Sequence, residues 1–487
     1  MSFSGPFERV RSVSRRGFLQ GALGTSAMLL LSACGGATQA PAPKPTEAPK
    51  PAEAKPAAPA AAPAATAAPA AAAPAAPAGQ AAPAAKGPIS LKGVTLSMIQ
   101  WASFIPTADA MVKKQVAEEF EKQTGAKVNV EVINVNDVQP KLSAAIQAGA
   151  GPDIVHIRDN WAHTYKESMA DVSDVVDEIK KKWGDFYPSV DSATKVDGKY
   201  LAMPHDQGGG VVHWRKSWFK EIGSEKFPET LDAYHEAGKK LKAKGRPFGQ
   251  AFGHSFGDPP GWCYAVMWNY GGRERDEQGK VAVNSPEVIK ALTDMKQWYK
   301  DAYDETGLGW DDSANNRAFL SESVSATVNG SSIWFVARKD KQPFFDDIGL
   351  DVLPKGPKGQ FVLPGIDNYV IPKYSKNIDA AKEFLRWKIS DATYVPLFTE
   401  NEGYYGGVSE KHDAALPWDK FPPILKMFKE VGKYGRMIGW PGPPDQKAGL
   451  AWSKYIVVDM FAKAIGGETP EAAAKWAEGQ LKEVYGG

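Results

Sequence analysis

The chain lacks paired cysteines, an excess of one charge and an apolar segment long enough to cross a membrane. Its 487 residues include only two cysteines, which cannot form a disulfide framework. Its 58 basic and 57 acidic residues leave a net charge of +1, so no electrostatic field recruits nucleic acid or an acidic surface. These deficits exclude a cationic nucleic-acid-binding protein, a multi-span membrane protein and a small domain held together by disulfides.

Tryptophan and tyrosine are absent from the first part of the chain. All 15 Trp and all 16 Tyr lie after residue 88, whereas residues 37–88 are mostly Ala and Pro. Recurring Pro interrupts a continuous helix, and small side chains offer little surface to bury. We therefore predict a disordered, semi-extended tether over 35–88 and a globular body over 89–487.

Residues 1–34 have the order of an export signal, with basic residues followed by an apolar run. The run is shorter than the roughly 20 apolar residues that a comfortable membrane span requires. Arg15 and Arg16 resemble a twin-arginine export motif, and Leu31–Gly35 resembles a bacterial lipobox in which Cys34 takes the lipid. These patterns predict a lipid-anchored protein on the extracytoplasmic face of a bacterial membrane. The alternative is an uncleaved membrane anchor.

The body begins with an alternation of strands and helices. Apolar patterns predict strands over 94–99, 127–132 and 153–157, separated by helices over 109–124 and 140–148. A β-α-β-α-β order implies a largely parallel sheet covered by helices, with ligands bound at the carboxyl ends of the strands. Trp101 and the segment Arg158–Trp161 would share that edge.

Further segments, in a fixed order along the body, are typical of one family. They are Ala148–Val155, Asp197–Pro204, Trp214–Gly223 with Pro228–Thr230, Phe319–Gly330, and Ile371–Asn377 with Ala380–Leu385. Each alone is unspecific, but the ordered set behind a lipobox and tether is specific. The chain resembles extracellular solute-binding proteins of the maltose-binding and multiple-sugar-binding type, the lipoprotein receptors of ABC importers.

The resemblance implies an α/β, two-lobed periplasmic-binding-protein-like fold of type II, with a mostly parallel sheet flanked by helices in each lobe. Lobe 1 would comprise 89–206 and 366–405, and lobe 2 would comprise 207–365 and 406–487. A solute would bind in the cleft between them. Crossings are expected near 204–209, 364–367 and 403–408, where glycines such as those at 208–210 supply the freedom that a hinge needs.

A sugar presents an apolar C–H face and a rim of hydroxyl groups, so its site combines aromatic rings with carboxylates and amides. The resemblance implies these candidate ligand-binding residues: Trp101, Asp159, Asp206, Trp262, Asn329, Trp334, Asp367, Tyr404 and Trp440. Each has a structural alternative, such as a core position for a tryptophan, a helix cap for Asp159 and a turn for Asp206. Trp298, Trp387 and Trp476 are predicted to be core, and Cys263 a small buried hydrophobe.

Signals for catalysis are poor. The sequence has no H-E-x-x-H and no C-x-x-C pattern, and His205 and His213 have no third ligand nearby. We therefore predict a non-enzymatic receptor without metal or cofactor. It would act as a monomer, capture a carbohydrate by hinge closure, and deliver it to the membrane permease subunits of an ABC importer.

Two alternatives stay open at this point. The same fold could bind a non-sugar solute, such as a polyamine, a peptide or a phosphorylated polyol, since aromatic rings with carboxylates also suit a cation. A surface glycosidase would need a pair of carboxylates, for which Asp311 with Asp312 and Glu400 with Glu402 are candidates.

Overall fold

The structure is a computed structural model, and it describes residues 90–103 and 105–486. The predicted export motif at Arg15 and Arg16, the lipidation site Cys34 and the tether over 35–88 lie outside the described residues. Within the described ranges, no helix is both long and apolar enough to cross a membrane.

Ten strands build the sheets in the part of the chain that the structure describes. They are β1 (Thr95–Trp101), β2 (Lys127–Ile133), β3 (Ile154–Arg158), β4 (Lys195–Val196), β5 (Lys199–Tyr200), β6 (Met203–Gly208), β7 (Val211–Arg215), β8 (Ala326–Asn329), β9 (Ile348–Val352) and β10 (Gly365–Val370).

Helices surround the sheets. They are α1 (Pro106–Gln115), α2 (Glu121–Thr124), α3 (Val135–Ala148), α4 (Trp161–Thr164), α5 (Ser173–Trp183), α6 (Pro188–Thr194), α7 (Lys216–Lys220), α8 (Leu231–Ala243), α9 (Asp258–Asn269), α10 (Pro286–Ala302), α11 (Ala314–Leu320), α12 (Ser332–Lys339), α13 (Ile378–Lys388), α14 (Asp391–Glu400), α15 (Glu410–Ala415), α16 (Met427–Tyr434), α17 (Gln446–Ser453), α18 (Ile456–Ile465) and α19 (Pro470–Tyr485). A π-helical turn, Val116–Phe120, joins α1 to α2, and short 3₁₀ turns occupy several loops.

The larger sheet has five strands in the order β2-β1-β3-β10-β6. β1 pairs in parallel with β2 and β3, as the β-α-β-α-β pattern predicts. β3 is buried along its length because helices cover both faces of the sheet, whereas β2 at the edge alternates buried and exposed residues. β10 pairs antiparallel with both β3 and β6.

The smaller sheet corrects the prediction of a mostly parallel sheet in each lobe. Its order is β8-β7-β9, and β7 pairs antiparallel with both neighbours. The larger sheet is mixed, with its parallel part confined to β1, β2 and β3. β8 and β9 run in the same direction and are joined through α12, but β7 lies between them and runs the opposite way, so both pairings of the smaller sheet are antiparallel.

The chain passes from the larger to the smaller sheet between β6 and β7. Gly209 and Gly210 there have φ values of +87° and +76°, a region that glycine enters without steric cost. Gln207, beside this turn, exchanges two backbone hydrogen bonds with Gly406. Two of the expected crossings are therefore adjacent in space, while the exact lobe boundaries stay a prediction.

The predicted core residues differ in burial, since Trp387 and Trp476 are only half-buried, although both pack against the core. Cys263 and Trp298 are buried, which confirms both predictions. The helix that contains Cys263, α9, begins at Asp258, since Pro259 and Pro260 fit the first turn of a helix.

The smaller sheet generates a testable prediction at Gly349, whose register partner on β7 is Trp214. A Cβ atom at Gly349 would come within 2.3 Å of the Trp214 indole. We expect Gly349→Ala to lower the free energy of unfolding by about 1–3 kcal/mol through overpacking. Gly261→Ala in α9 is the matched control, since its Cβ would meet no atom within 4 Å. Equal urea midpoints for the two variants would contradict the prediction.

Candidate functional site

One cavity of about 460 Å³ lies where the loop after β3 faces the C-terminal helices. This size is within the range of small-molecule sites, roughly 300–1,000 Å³. It is lined by Gln139, Asn160, Trp161, Thr164, Phe256, Gln446, Lys447, Gly449, Leu450, Trp452, Ser453 and Tyr455. We name it the aromatic cleft after four of these residues: Trp161, Phe256, Trp452 and Tyr455.

The rings of the aromatic cleft support one another. Phe256 stacks on Trp452 with ring centroids 4.7 Å apart and an angle of 13° between the planes. Trp161 meets the edge of Phe256 at 6.1 Å and 68°. Tyr455 has a left-handed φ of +54° between α17 and α18, and it stacks on His254 at 4.6 Å. Rings fixed by neighbouring rings form a preformed apolar surface.

The polar lining of the aromatic cleft is almost entirely uncharged. Among the described residues that line it, amide and hydroxyl side chains predominate, and none is a carboxylate. The charged residue there, Lys447, donates from Nζ to the Tyr485 carbonyl at 2.6 Å. Such a cavity suits a neutral ligand that combines an apolar face with hydrogen-bonding groups.

A second, much smaller cavity of about 30 Å³ lies beside the hinge strands. Its surroundings, here named the hinge cluster, comprise Trp101, His156, Arg158, Asp206, Asp367 and Tyr405. A space of this size holds one or two water molecules, since one water needs about 10–15 Å³. It is too small for a sugar.

Trp101 is integrated into the hinge cluster by its neighbours. Its Nε1 donates to His156 Nε2 at 3.0 Å, and the Arg158 guanidinium lies 5.2 Å from its ring centroid. Burial, with the positive charges of neighbouring groups, lowers the pKa of His156 well below its usual value. The imidazole is therefore neutral, and its Nε2 can accept a hydrogen bond from the indole N–H.

Two carboxyl groups meet in the hinge cluster because Asp206 on β6 and Asp367 on β10 are register partners. Both are buried, and because like charges repel, the charge of Asp206 favours a proton on Asp367. Burial raises the pKa of Asp206 to about 7, against the opposing effect of Arg158 and Lys388. Burial also raises the pKa of Asp367 well above its usual value.

Asp159 lies next to this pair of carboxyl groups, and its side chain binds the backbone of β10. Its φ is +49°, and its Oδ1 accepts from the Ile366 amide at 2.9 Å, which joins the turn after β3 to β10. Burial raises its pKa to about 6, although Arg158 lies 3.7 Å away and favours the charged form.

Lys388 is a functional candidate that the sequence analysis missed. It is 1% exposed, its Nζ has no hydrogen-bond partner among the described residues, and burial lowers its pKa to about 8. A sequence signal existed, because Lys388 occupies the apolar stripe of α13 with Ala381 and Phe384.

Three predicted residues lie near the smaller sheet, away from both cavities. Asn329 donates from Nδ2 to Asp258 Oδ2 at 3.2 Å, and Trp334 packs among Phe335, Phe345 and Arg338. The Tyr404 carbonyl accepts from Ser331 Oγ at 3.2 Å. The neighbouring Tyr405 lines the small cavity, so adjacent tyrosines reach different surroundings.

Trp262 and Trp440 line neither of the two cavities. Trp262 is 1% exposed and lies 6.0 Å from the Tyr303 ring inside the core. Trp440 packs on Phe361 and under Arg273, and it does not line the aromatic cleft although it lies shortly before Gln446 in the chain. Both ligand-binding predictions therefore gain no support from the geometry.

The sequence analysis also passed over Phe256, Trp452 and Tyr455. Phe256 lies in a short loop without periodicity, and the other two flank the polar pair 453–454 at a junction of two helices. Aromatic residues at such a junction were the available signal. Trp161 lies at the sheet edge that the sequence predicts, although it is not among the predicted ligand-binding residues.

The pentapeptide Gly253–Gly257 matches the G-x-S-x-G pattern of serine hydrolases, which the sequence analysis did not note. Its context does not fit a nucleophile, because no strand precedes it. Ser255 Oγ donates to Asp312 Oδ1 at 2.9 Å, and the His254 ring is hydrogen-bonded to Asp459 instead. Within the described ranges, no group of three metal-ligating side chains converges.

Comparison with known proteins identifies the family and the fold. The model for the bacterial extracellular solute-binding protein family matches residues 115–412. The diacetylchitobiose-binding protein of Streptomyces coelicolor is 26% identical over 291 residues, covering 57% of this chain and 65% of that protein.

Solved structures resemble the chain over most of its length. T. maritima MalE3 with maltose bound has a TM-score of 0.67 and 20% identity, covering 80% of this chain and 100% of that chain. An ABC transporter solute-binding protein of Agrobacterium radiobacter, in complex with ribitol, has a TM-score of 0.65 and 21% identity, covering 81% and 100%. These likenesses confirm the predicted two-lobed α/β fold.

The hinge cluster generates a prediction about pH. Because the folded-state pKa of Asp206 is about 7, above its usual 3.8, the folded protein binds more protons than the unfolded chain between these values. The stability of the protein should therefore fall as pH rises from about 4 to about 7. Asp206→Asn should flatten this decline, whereas Asp340→Asn on the surface should not. Equal slopes of thermal midpoint against pH for all three proteins would contradict the assignment.

Proposed function

The chain belongs to the bacterial extracellular solute-binding protein family, and on this premise we propose that it captures a carbohydrate for an ABC importer. The ligand is a sugar, an oligosaccharide or a polyol. It binds in the aromatic cleft, two lobes close over it about the hinge strands, and the loaded protein delivers it to the permease subunits.

The observation that carries this proposal is the aromatic cleft itself. The C–H face of a sugar packs on rings such as Trp452 and Trp161, while amides such as Gln139 and Gln446 reach its hydroxyl groups. Closure requires no chemistry, only that the ligand binds the closed state better than the open state.

The lining of the cleft separates the ligand classes. A polyamine needs carboxylates, and none lines the described cavity. A phosphorylated polyol needs several cationic groups, whereas Lys447 is the charged group there and its Nζ already donates to a carbonyl. Neutral ligands are consistent with the maltose and ribitol in the similar solved structures and with the diacetylchitobiose named for the Streptomyces relative.

The glycosidase alternative has little support from its candidate carboxylates. Asp312 accepts hydrogen bonds from Ser255 and from the amides of Gly257 and Asp258, so it serves to cap α9. Glu402 is ion-paired with Arg338. We infer a binding protein that returns its ligand unchanged and acts as a monomer.

The proposed ligand class is testable by thermal shift, because a ligand that binds only the folded protein raises its midpoint. We expect maltose, ribitol or N,N′-diacetylchitobiose to raise the midpoint, and spermidine to leave it unchanged. Trp452→Ala should abolish the shift, and Trp387→Ala, a half-buried tryptophan outside the cleft, should retain it. A shift with spermidine alone would overturn the proposal, as would recovery of chemically altered sugar.

The proposed location is testable at Cys34. Stable membrane anchoring requires more than one acyl chain, each buried CH₂ contributing about 0.8 kcal/mol. Cys34→Ser should therefore move the protein from the membrane fraction to the soluble extracytoplasmic fraction in an expressing bacterium, while its carbohydrate binding stays unchanged. Retention of the variant in the membrane would favour an uncleaved anchor.

A further inference from the structure

The aromatic cleft is bordered by a direct contact between the two sides of the protein. Asn160, immediately after β3, is 1% exposed. Its Nδ2 donates to the Pro444 carbonyl at 2.9 Å and lies 3.4 Å from the Asp445 carbonyl. β3 belongs to the larger sheet, whereas Pro444 and Asp445 lead into α17, which packs on α18 and α19.

The segment that receives Asn160 is held rigidly by Arg275. The guanidinium of Arg275 donates to the carbonyls of Gly439 and Pro443 and to Asp445 Oδ2, the last at 3.0 Å. Asp445 Oδ1 in turn accepts from the Ala448 amide at 2.9 Å and caps α17. The carbonyls that Asn160 reaches are thus fixed in position before it arrives, so little ordering is needed to form the contact.

Gly449 on α17 makes the close approach possible. A Cβ atom at this position would lie 3.0 Å from Asn160 Nδ2 and 3.1 Å from Thr164 Oγ1. Any side chain there would push α17 away from α4. Trp452, three residues further along α17, would move with the helix and change its distance from Trp161.

We propose that Asn160 and Gly449 form an interlobe latch that positions the two sides of the aromatic cleft. The bonds of the latch join protein atoms only, so it favours the closed arrangement before any ligand arrives. The inference rests on the proposed function, since a latch has a role only if the lobes open and close.

The latch has a direct consequence for affinity. A ligand that needs the closed state binds with an apparent Kd that rises as the closed fraction falls. Breaking the latch should therefore weaken binding although no ligand-contacting ring is changed. Because alanine favours helix more than glycine does, Gly449→Ala should loosen the contact without destabilising α17 itself.

The test uses the full chain and three single variants: Gly449→Ala, Asn160→Ala and the control Gly479→Ala. Gly479 lies in the exposed face of α19, and a Cβ atom there would meet no atom within 4 Å. Small-angle X-ray scattering without added ligand measures the radius of gyration. Calorimetry with maltose and with ribitol measures Kd, and the thermal midpoint reports folding.

We expect the first two variants to have a larger radius of gyration than wild type, and the control to match wild type. Their Kd should rise about tenfold, the scale of one lost buried hydrogen bond. The midpoint of thermal unfolding of Gly449→Ala should not be lower than that of the wild type. A double variant that combines Asn160→Ala with Gly449→Ala should have a Kd little higher than that of the weaker-binding single variant, because both changes remove the same contact.

An unchanged radius of gyration in both latch variants would overturn the inference, and so would an equal expansion in the control. If neither maltose nor ribitol binds any of the proteins but the expansion is seen, the latch is supported and the carbohydrate proposal fails. The scattering readout thus separates the two.

Discussion

The antiparallel pairing of β10 between β3 and β6 is the contact on which the rest of the molecule depends. It places Asp367 opposite both Arg158 and Asp206, and it joins segments more than 150 residues apart. The resulting carboxyl pair is buried, which raises the pKa of both groups, and Arg158 lies 3.6 Å from Asp367 and offsets part of their charge. A slip of one residue would turn Asp367 to the other face of the sheet and leave Asp206 without its partner.

Consecutive residues at the end of β3 and directly after it lie in different surroundings. Arg158 and Asp159 belong with the hinge strands, whereas Asn160 and Trp161 face α17 across the aromatic cleft. The left-handed conformation of Asp159 makes this division possible, and the bond from the Ile366 amide holds it. One short turn therefore connects the hinge strands to the proposed latch and to the aromatic cleft. A shift of this turn would move residues of all three.

Sequence patterns predicted the elements of the body well where the period was clear. β1, β2 and β3 were found with boundaries close to those observed, because their apolar residues are continuous or alternate. The family resemblance implied a mostly parallel sheet in each lobe, which was wrong for the smaller sheet, and periodicity could not correct it because periodicity carries no information about strand direction. For the site, the predicted ligand-binding residues Trp101, Asp206 and Asp367 line one cavity, but this cavity is too small for a sugar.

By itself, the sequence determined the order of strands and helices, the family and the segregation of aromatic residues into the body. These depend on local period, composition and ordered motifs. Only the tertiary structure decided which rings meet. Phe256, Trp452 and Trp161 come from three distant segments, and no local pattern distinguishes them from core tryptophans such as Trp262. A tryptophan side chain is buried in a core as readily as it lines a cleft. Its role therefore depends on whether another side chain or an open space faces its ring.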